Sequence, residues 1–219
     1  MSTATSTAKP ASHAPAVLHD IDWGTYVRLR SAFDRSGRKF KLTYDRGTLE
    51  IMSPLWEQEE PAYILGTFID AITQELQLPC RPGGSVTLRR SRKSRGLEPD
   101  RCYWIASTEL LQGKTHLDLR SDPPPDLAIE MDLTHSSLNR MGIYAALGVR
   151  EVWRVTPEGL IFNVLESGVY QARTHSLSFP RLASADLMGF LTKVGHLDAT
   201  ALALQFRDWV RNVLLHRRG

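Results

Sequence analysis

The stretch DLAIEMD, residues 126–132, decides the fold class. Side chains alternate between the two faces of a β-strand, so Leu127, Ile129 and Met131 are expected to share one apolar face. Glu130 and Asp132 then fall on the other face, together with Ala128. The stretch therefore predicts a central strand of a sheet, with carboxylates inside an otherwise apolar segment.

The residues before this strand predict a helix followed by a hairpin. Apolar residues recur at helical spacing over residues 23–33, with Asp22 as N-cap and Gly37 as a stop. Alternation over residues 39–44 predicts a strand with one buried face, and the turn at residues 45–47 leads to a return strand at 48–52. On that return strand, Glu50 is expected to lie on the face opposite its apolar neighbours.

Further elements alternate along the chain. Helices are expected at residues 57–76, 137–147, 184–193 and 199–216, and strands near 85–89, 100–105, 151–155, 160–165 and 169–173. This order predicts an α/β fold, with helices packed on a sheet. Residues 1–16 are almost all Ala, Ser, Thr and Pro and are expected to form a disordered tail. Order should begin near Asp20, and residues 20–216 are expected to form a single domain.

Composition narrows the class of protein without indicating a function. The 219 residues carry a formal net charge of +3, which only weakly suggests a polyanionic partner. Cys80 and Cys102 are too few for a disulfide framework and are interpreted as small core residues in a reducing compartment. No apolar run approaches the roughly 20 residues of a membrane-spanning helix. We therefore expect a cytoplasmic protein with no membrane partner.

Two carboxylates on the central strands are candidates for a metal site. Asp100 follows Pro99 at the start of a predicted strand, and Glu130 lies well inside the next one. A carboxylate is costly to bury unless it is paired or binds a cation, and Mg²⁺ prefers such hard oxygen ligands. The alternative is that Glu130 and Asp132 form ion pairs with arginines on neighbouring elements. From spacing alone, both interpretations stay open.

A basic run precedes Asp100. Residues 89–95 contain five basic residues in seven and are expected to form a loop after a strand. The candidate phosphate-binding residues in it are Arg89, Arg90, Arg92 and Lys93. They could make salt-sensitive contacts to a nucleic-acid backbone, although an isolated charge run is more often a solvated loop. The closeness of this run to Asp100 in the sequence favours the phosphate contacts. The chain offers no zinc-type Cys/His spacing, GxSxG elbow or glycine-rich phosphate loop.

Four segments in this order resemble a known family. They are LTYDRGTLEIMSP at 42–54, GLEPD at 96–100, PPDLAIE at 124–130 and SLNRMGIYAALGVREVW at 137–153. Together they resemble the Uma-two family of restriction-endonuclease-like proteins, within the PD-(D/E)XK nuclease superfamily. The resemblance implies a restriction-endonuclease-like core, in which helices flank a mixed sheet. It also implies Mg²⁺- or Mn²⁺-dependent hydrolysis of phosphodiester bonds.

The resemblance also assigns roles to residues. Asp100 and Glu130 would hold the metal with help from the Met131 carbonyl, and Glu50 matches a glutamate of the family's hairpin. Glu57 or Glu59 lies where the superfamily's first core helix often supplies an acid. Asp132 stands where the superfamily usually has a lysine. Arg140, four residues before Tyr144, stands where many family members have a lysine. Arginine cannot serve as a general base.

Three functional hypotheses follow. The first is a metal-dependent endonuclease acting on nucleic acid, with DNA as the expected substrate and Asp132, Arg140 and Glu50 completing the site around the metal. The second is a nuclease fold that binds nucleic acid through the basic run without cutting it. The third is a scaffold with no nucleic-acid role. The apolar side of the last helix is expected to form either a homodimer face or a lid over the sheet; its residues are Leu202, Phe206, Trp209, Val210 and Leu214.

Overall fold

A computed structural model describes residues 15–53, 56–133 and 136–217, and for residues 56 and 57 the backbone alone. Within these residues the chain forms five helices and eleven strands, arranged in two sheets. The α/β prediction is confirmed. The division into two sheets is a difference from the single sheet that the element order predicts, and it determines where the candidate site lies.

The N-terminal sheet is built around the predicted hairpin. Helix α1 (Trp23–Ser36) begins where Asp22 accepts a hydrogen bond from the Thr25 amide and ends at Gly37, whose φ is 69°. Strands β2 (Lys41–Asp45) and β3 (Thr48–Met52) are antiparallel and joined by a two-residue turn. Both turn residues have positive φ, as the tight hairpin requires.

Strand β2 is buried on both of its faces, which corrects the prediction of one buried face. Leu42 and Tyr44 pack beneath α1 against Tyr26. Thr43 points the other way and is only 2% exposed. The polar side of the hairpin therefore faces the interior of the protein, against the second sheet and the helix that begins at Arg140.

Three further strands complete this sheet, in the order β1-β3-β2-β6-β5. Strand β1 (Ala16–Leu18) pairs with β3, so order begins before Asp20 and the strand takes in the last residue of the predicted tail. Residues 1–14 lie outside the described residues. The basic run is not a simple loop, because β5 (Leu88–Arg90), a 3₁₀ turn (Ser91–Lys93) and β6 (Arg95–Leu97) form a second hairpin from it.

The second sheet contains the decisive stretch. Its order is β11-β10-β9-β8-β7-β4. The strands are β4 (Arg81–Pro82), β7 (Arg101–Trp104), β8 (Leu127–Met131), β9 (Glu151–Thr156), β10 (Gly159–Glu166) and β11 (Val169–Arg173). Only β8 and β9 pair in parallel among the described strands, and α3 (Arg140–Leu147) connects them. The sheet is therefore mixed, as the resemblance implies.

Helices cover both faces of this sheet. The Leu127 face of β8 packs against α2 (Trp56–Glu75) and α5 (Ala199–Asn212), and α4 (Ser184–Leu191) joins the same core. The Ala128 face packs against α3. These opposite environments bear out the predicted alternation along residues 126–132, and they place Glu130 on the α3 side.

The apolar side of α5 is used within the chain. Leu202, Phe206, Val210 and Leu214 are buried, and Phe206 stacks on Phe68 of α2 with ring centroids 4.0 Å apart. This favours the lid alternative over a dimer face for these residues. A homodimer formed through another surface stays a prediction.

The cysteines and the helices also bear on the expectations from composition. Cys102 is buried and Cys80 is half-buried, and both thiols are free. Burial raises the pKa of Cys80 to about 11 and that of Cys102 to about 12, which favours the protonated thiol over the nucleophilic thiolate. In the described part of the chain, no helix is both long and apolar enough to cross a membrane.

Candidate active site

Asp100 and Glu130 meet across two adjacent strands. The antiparallel pairing of β7 with β8 sets Arg101 opposite Ile129, so the next step places Asp100 opposite Glu130. Two hydrogen bonds fix this arrangement. The Asp100 amide donates to the Ile129 carbonyl at 3.2 Å, and the Met131 amide donates to Asp100 Oδ2 at 2.7 Å. The two predicted metal ligands therefore lie side by side at one end of β8.

The predicted catalytic residues line one pocket of about 20 Å³, which is room for roughly one water molecule or ion. All five are present: Glu50, Asp100, Glu130, Asp132 and Arg140. The pocket lies at the junction of the two sheets and α3. Its other walls are Lys41, Thr43, Met52, Gln58, Met131 and Ser136.

Glu130 is held by α3. Arg140 Nη2 donates to Glu130 Oε2 at 2.9 Å, while Arg140 Nε lies 2.6 Å from Oε1. The Tyr144 hydroxyl donates to Oε2 at 2.6 Å. Arg140 also donates to the Glu98 carbonyl and to the Thr43 hydroxyl. The ion-pair alternative for Glu130 is thus realised, with Arg140 as the partner.

Burial and charge act in opposite directions on this group. Desolvation raises the pKa of Glu130, the Arg140 charge lowers it, and the neighbouring Asp100 raises it again, leaving a net increase. Burial lowers the pKa of Arg140, but the charge and hydrogen bond of Glu130, together with the charges of Tyr144 and Asp100, raise it by more. Burial and the Glu130 charge raise the pKa of Tyr144 well above its usual value, so its hydroxyl stays a donor. Arginine does not lose its proton in proteins, so the Glu130 carboxylate always faces a positive charge.

Sequence reasoning missed Lys41. Its ammonium forms an ion pair with Asp100 Oδ1, and the two side chains are 14% and 6% exposed. The hairpin does carry a signal for this residue. Lys41, Thr43 and Glu50 lie on the same face of the hairpin, because Thr43 pairs with Glu50 in the register of β2 and β3. The alternation of residues 39–44 predicts a solvent-facing side for Lys41 and Thr43, so the pattern alone indicates only Glu50.

Glu50 holds the segment that leads into α3. Its carboxylate accepts hydrogen bonds from the Ser136 hydroxyl, the Ser137 amide and the Ser137 hydroxyl at 2.7–3.1 Å. The residue is 1% exposed. Glu50 therefore lines the pocket, but its oxygens are used to position the start of α3.

Three other acidic candidates have different surroundings. Asp132 Oδ2 accepts a hydrogen bond from Arg154 Nε at 2.8 Å, which is the second ion pair that the alternative interpretation expects. Glu59 is exposed and lines a neighbouring cleft together with Asp100. The side chain of Glu57 lies outside the described part of the chain.

The basic run lies at the other end of the N-terminal sheet. Arg46 at the β2–β3 turn donates its amide to the Ser94 carbonyl at 2.9 Å, so the 3₁₀ turn lies beside that turn. Lys41 is at the opposite end of β2. Arg89, Arg92 and Lys93 are exposed, and Arg90 is half-buried. Closeness in sequence to Asp100 therefore does not bring these four residues into the pocket.

The pocket suits a divalent cation in donor type. Across the three described ranges, no group of three or more His, Cys, Asp or Glu is arranged to hold a metal ion. Asp100 and Glu130 nevertheless direct carboxylate oxygens into one pocket, and such oxygens are the ligands that Mg²⁺ prefers. Each Asp100 oxygen accepts one contact, and a carboxylate oxygen has room for about two. The residues fit an ion that would share these carboxylates with Lys41 and Arg140.

Residues 23–194 match the Uma2 family, whose description is "Putative restriction endonuclease". The chain belongs to this family. Its membership supports a nuclease and implies a nucleic-acid substrate. A solved structure described as a "putative nuclease belonging to DUF820" from Anabaena variabilis is 16% identical, with a TM-score of 0.48, over 68% of this chain and 90% of that one. Among curated proteins, none matches the chain.

Proposed function

We propose that this member of the Uma2 family is a divalent-metal-dependent endonuclease that hydrolyses the phosphodiester bonds of DNA. The observation that supports the proposal is the convergence of Asp100 and Glu130 on one pocket that also contains the cations Lys41 and Arg140. Carboxylates that bind an ion, beside cations that stabilise negative charge, are the groups that phosphate hydrolysis requires.

Each of these residues has a role in the proposed reaction. Asp100 and Glu130 would hold Mg²⁺ or Mn²⁺ with the Met131 carbonyl. Such an ion polarises a phosphoryl oxygen and lowers the pKa of a bound water. Lys41 and Arg140 would stabilise the charge that develops on the phosphate. Arg140 cannot accept a proton from water, so it contributes charge and position only.

The decisive experiment is cleavage of a supercoiled plasmid in Mg²⁺, in Mn²⁺ and in EDTA. We expect the wild type to nick the circle only when metal is present, and Asp100→Asn to lose this activity. Asp208→Asn is the matched control, because Asp208 is exposed on α5 and does not line the pocket. A single-stranded RNA substrate in parallel distinguishes DNA from RNA as the preferred polymer. Absence of cleavage in both metals would contradict the proposal.

A second candidate is a nucleic-acid-binding module that does not cut. Two observations favour it. Arg140 already occupies the Glu130 carboxylate, which is one of the two proposed metal ligands, and the basic run is exposed. Replacing Arg89, Arg90, Arg92 and Lys93 with Ala should then flatten the salt dependence of duplex DNA binding. Each lost phosphate contact reduces the slope of log K against log salt by about 0.9. An unchanged slope would assign the basic run to solvent.

A further inference from the structure

The site pocket adjoins a wider cleft on each side. Lys41 and Asp100 form the wall that it shares with a cleft of about 530 Å³ beside α1. That cleft shares Arg30 and Thr87 with the next, of about 700 Å³, which reaches Arg89. Both clefts fall within the roughly 300–1,000 Å³ typical of ligand sites. We call these two clefts together the α1 groove.

A further cleft lies beyond the other wall of the pocket. Glu130, Asp132 and Arg140 are shared with a cleft of about 240 Å³ that ends at Arg154. The carboxylates therefore lie at a narrow point with wider space before and after them. This shape suits a polymer whose backbone lies over the pocket and in the clefts beside it, since the pocket itself has room for only about one ion or water molecule.

Most acidic side chains of the α1 groove are neutralised within it. Arg30 forms ion pairs with both Asp34 and Glu98. Asp118 pairs with Arg120 in the same groove, whereas Glu59 is exposed at the edge and has no ion pair with a described residue.

Two basic side chains of the α1 groove remain available to a ligand. Lys39 and Arg89 are exposed, and neither forms an ion pair with a described residue. Lys39 precedes Lys41 by two residues, so their Cα atoms are at most about 7 Å apart. Arg89 pairs with Gly96, which is four residues and at most about 14 Å from Asp100. Positive charge thus recurs along the groove at increasing distance from the carboxylates.

We propose that one strand of the nucleic-acid substrate lies in the α1 groove, with Lys39 on the phosphate next to the site and Arg89 on a phosphate further along. This inference rests on the proposed function, because it takes Asp100 and Glu130 as the point of cleavage. It adds Lys39 to the residues that contact the substrate. It also gives Arg89 a phosphate contact that the other basic residues of its hairpin do not share.

Binding of fluorescein-labelled single-stranded DNA in EDTA tests the proposal without cleavage. Kd is measured by anisotropy over a series of KCl concentrations for wild type, Lys39→Ala, Arg89→Ala and the double variant. Each single change should reduce the slope of log K against log salt by about 0.7, the value per phosphate of a single strand. The double variant should lose about twice as much. The control is Arg150→Ala, which removes an exposed charge away from the groove.

The outcomes separate this inference from the proposed function. Circular dichroism melts first establish that all variants are folded. If Lys39→Ala has the same slope of log K against log salt as wild type, the proposed strand path is wrong, whether or not Arg89→Ala reduces that slope. Loss of slope in both variants, with none in Arg150→Ala, supports the groove even if the plasmid assay shows no cleavage. Cleavage by wild type with unchanged slopes retains the nuclease and rejects the strand path.

Discussion

Arg140 and Tyr144 bind the same oxygen of Glu130, at 2.9 Å and 2.6 Å. Residues four apart lie on the same face of a helix, so one turn of α3 supplies both donors. The turn begins where Asn139 accepts a hydrogen bond from the Gly142 amide at 2.9 Å. The carboxylate that β8 buries is therefore satisfied by the helix that immediately follows it.

Glu130→Gln should destabilise the metal-free protein by about 3–5 kcal/mol, because it leaves the buried Arg140 without its counter-charge. Urea unfolding measures the change. Arg140→Met combined with Glu130→Gln should recover much of the loss, since both buried charges are then removed. A Gln variant as stable as wild type would contradict the ion pair. A large loss in that variant, together with a wild-type melting temperature that Mg²⁺ does not raise, would count against the metal site.

Lys41→Met should increase the rise in melting temperature that Mg²⁺ produces, because it removes the cation that competes for Asp100 Oδ1. The metal-free variant should be less stable than wild type, since Asp100 loses its partner. Cleavage at saturating Mg²⁺ should fall because a charge that stabilises the phosphate is missing. Lys41→Arg keeps the charge and is the control. Equal Mg²⁺ responses in wild type and Lys41→Met would show that Lys41 does not compete with the ion.

Glu50→Gln should cost about 1–3 kcal/mol, because an amide cannot accept all the hydrogen bonds that this carboxylate receives from Ser136 and Ser137. Hydrogen exchange should accelerate at the start of α3 more than elsewhere. Glu60→Gln is the control, since Glu60 is exposed on α2. If exchange at α3 stayed as in wild type, Glu50 would not be the residue that positions this helix.

Glu98→Gln should change the pH dependence of stability. Burial raises the pKa of Glu98, so the folded protein binds this proton more tightly than the unfolded chain does. The resulting stabilisation is complete below the unfolded pKa, near 4.5, and is lost as pH rises through the folded pKa. The free energy of unfolding of the Gln variant, relative to wild type, should therefore increase from pH 4 to pH 7. Glu109→Gln, at an exposed position, should show no such trend.

The elements that sequence predicts well have local signals. Helix α1 has a side-chain cap at Asp22 and a left-handed stop at Gly37, and both function as expected. Strand β8 has a clear period of two. The hairpin of β5 and β6 was missed because its charged residues resemble a solvated loop, although their backbone pairs in a sheet. A local sequence pattern does not show which strands pair with each other in a sheet.

The residues of the candidate site also differ in whether a local sequence motif identifies them. The motifs are sufficient to select Asp100, Glu130 and Arg140, which the structure brings into one pocket. They do not identify Lys41, because its importance depends on contact with a residue 59 positions away. A lysine in an alternating strand is assigned to the surface unless the opposite sheet is known. The cations of the site are therefore harder to predict than its carboxylates.

The sequence separation between the hairpin and the start of α3 implies a delay in completing the site during synthesis on the ribosome. Ser137 follows Glu50 by 87 residues, and Arg140 follows Thr43 by 97. At about 5–20 residues per second, the nascent hairpin waits roughly 4–20 s for these partners to be synthesised. Until then, water satisfies the groups that the pocket later buries. A ribosome paused before residue 137 thus presents an N-terminal sheet without a functional site, and the pocket closes only when α3 leaves the exit tunnel.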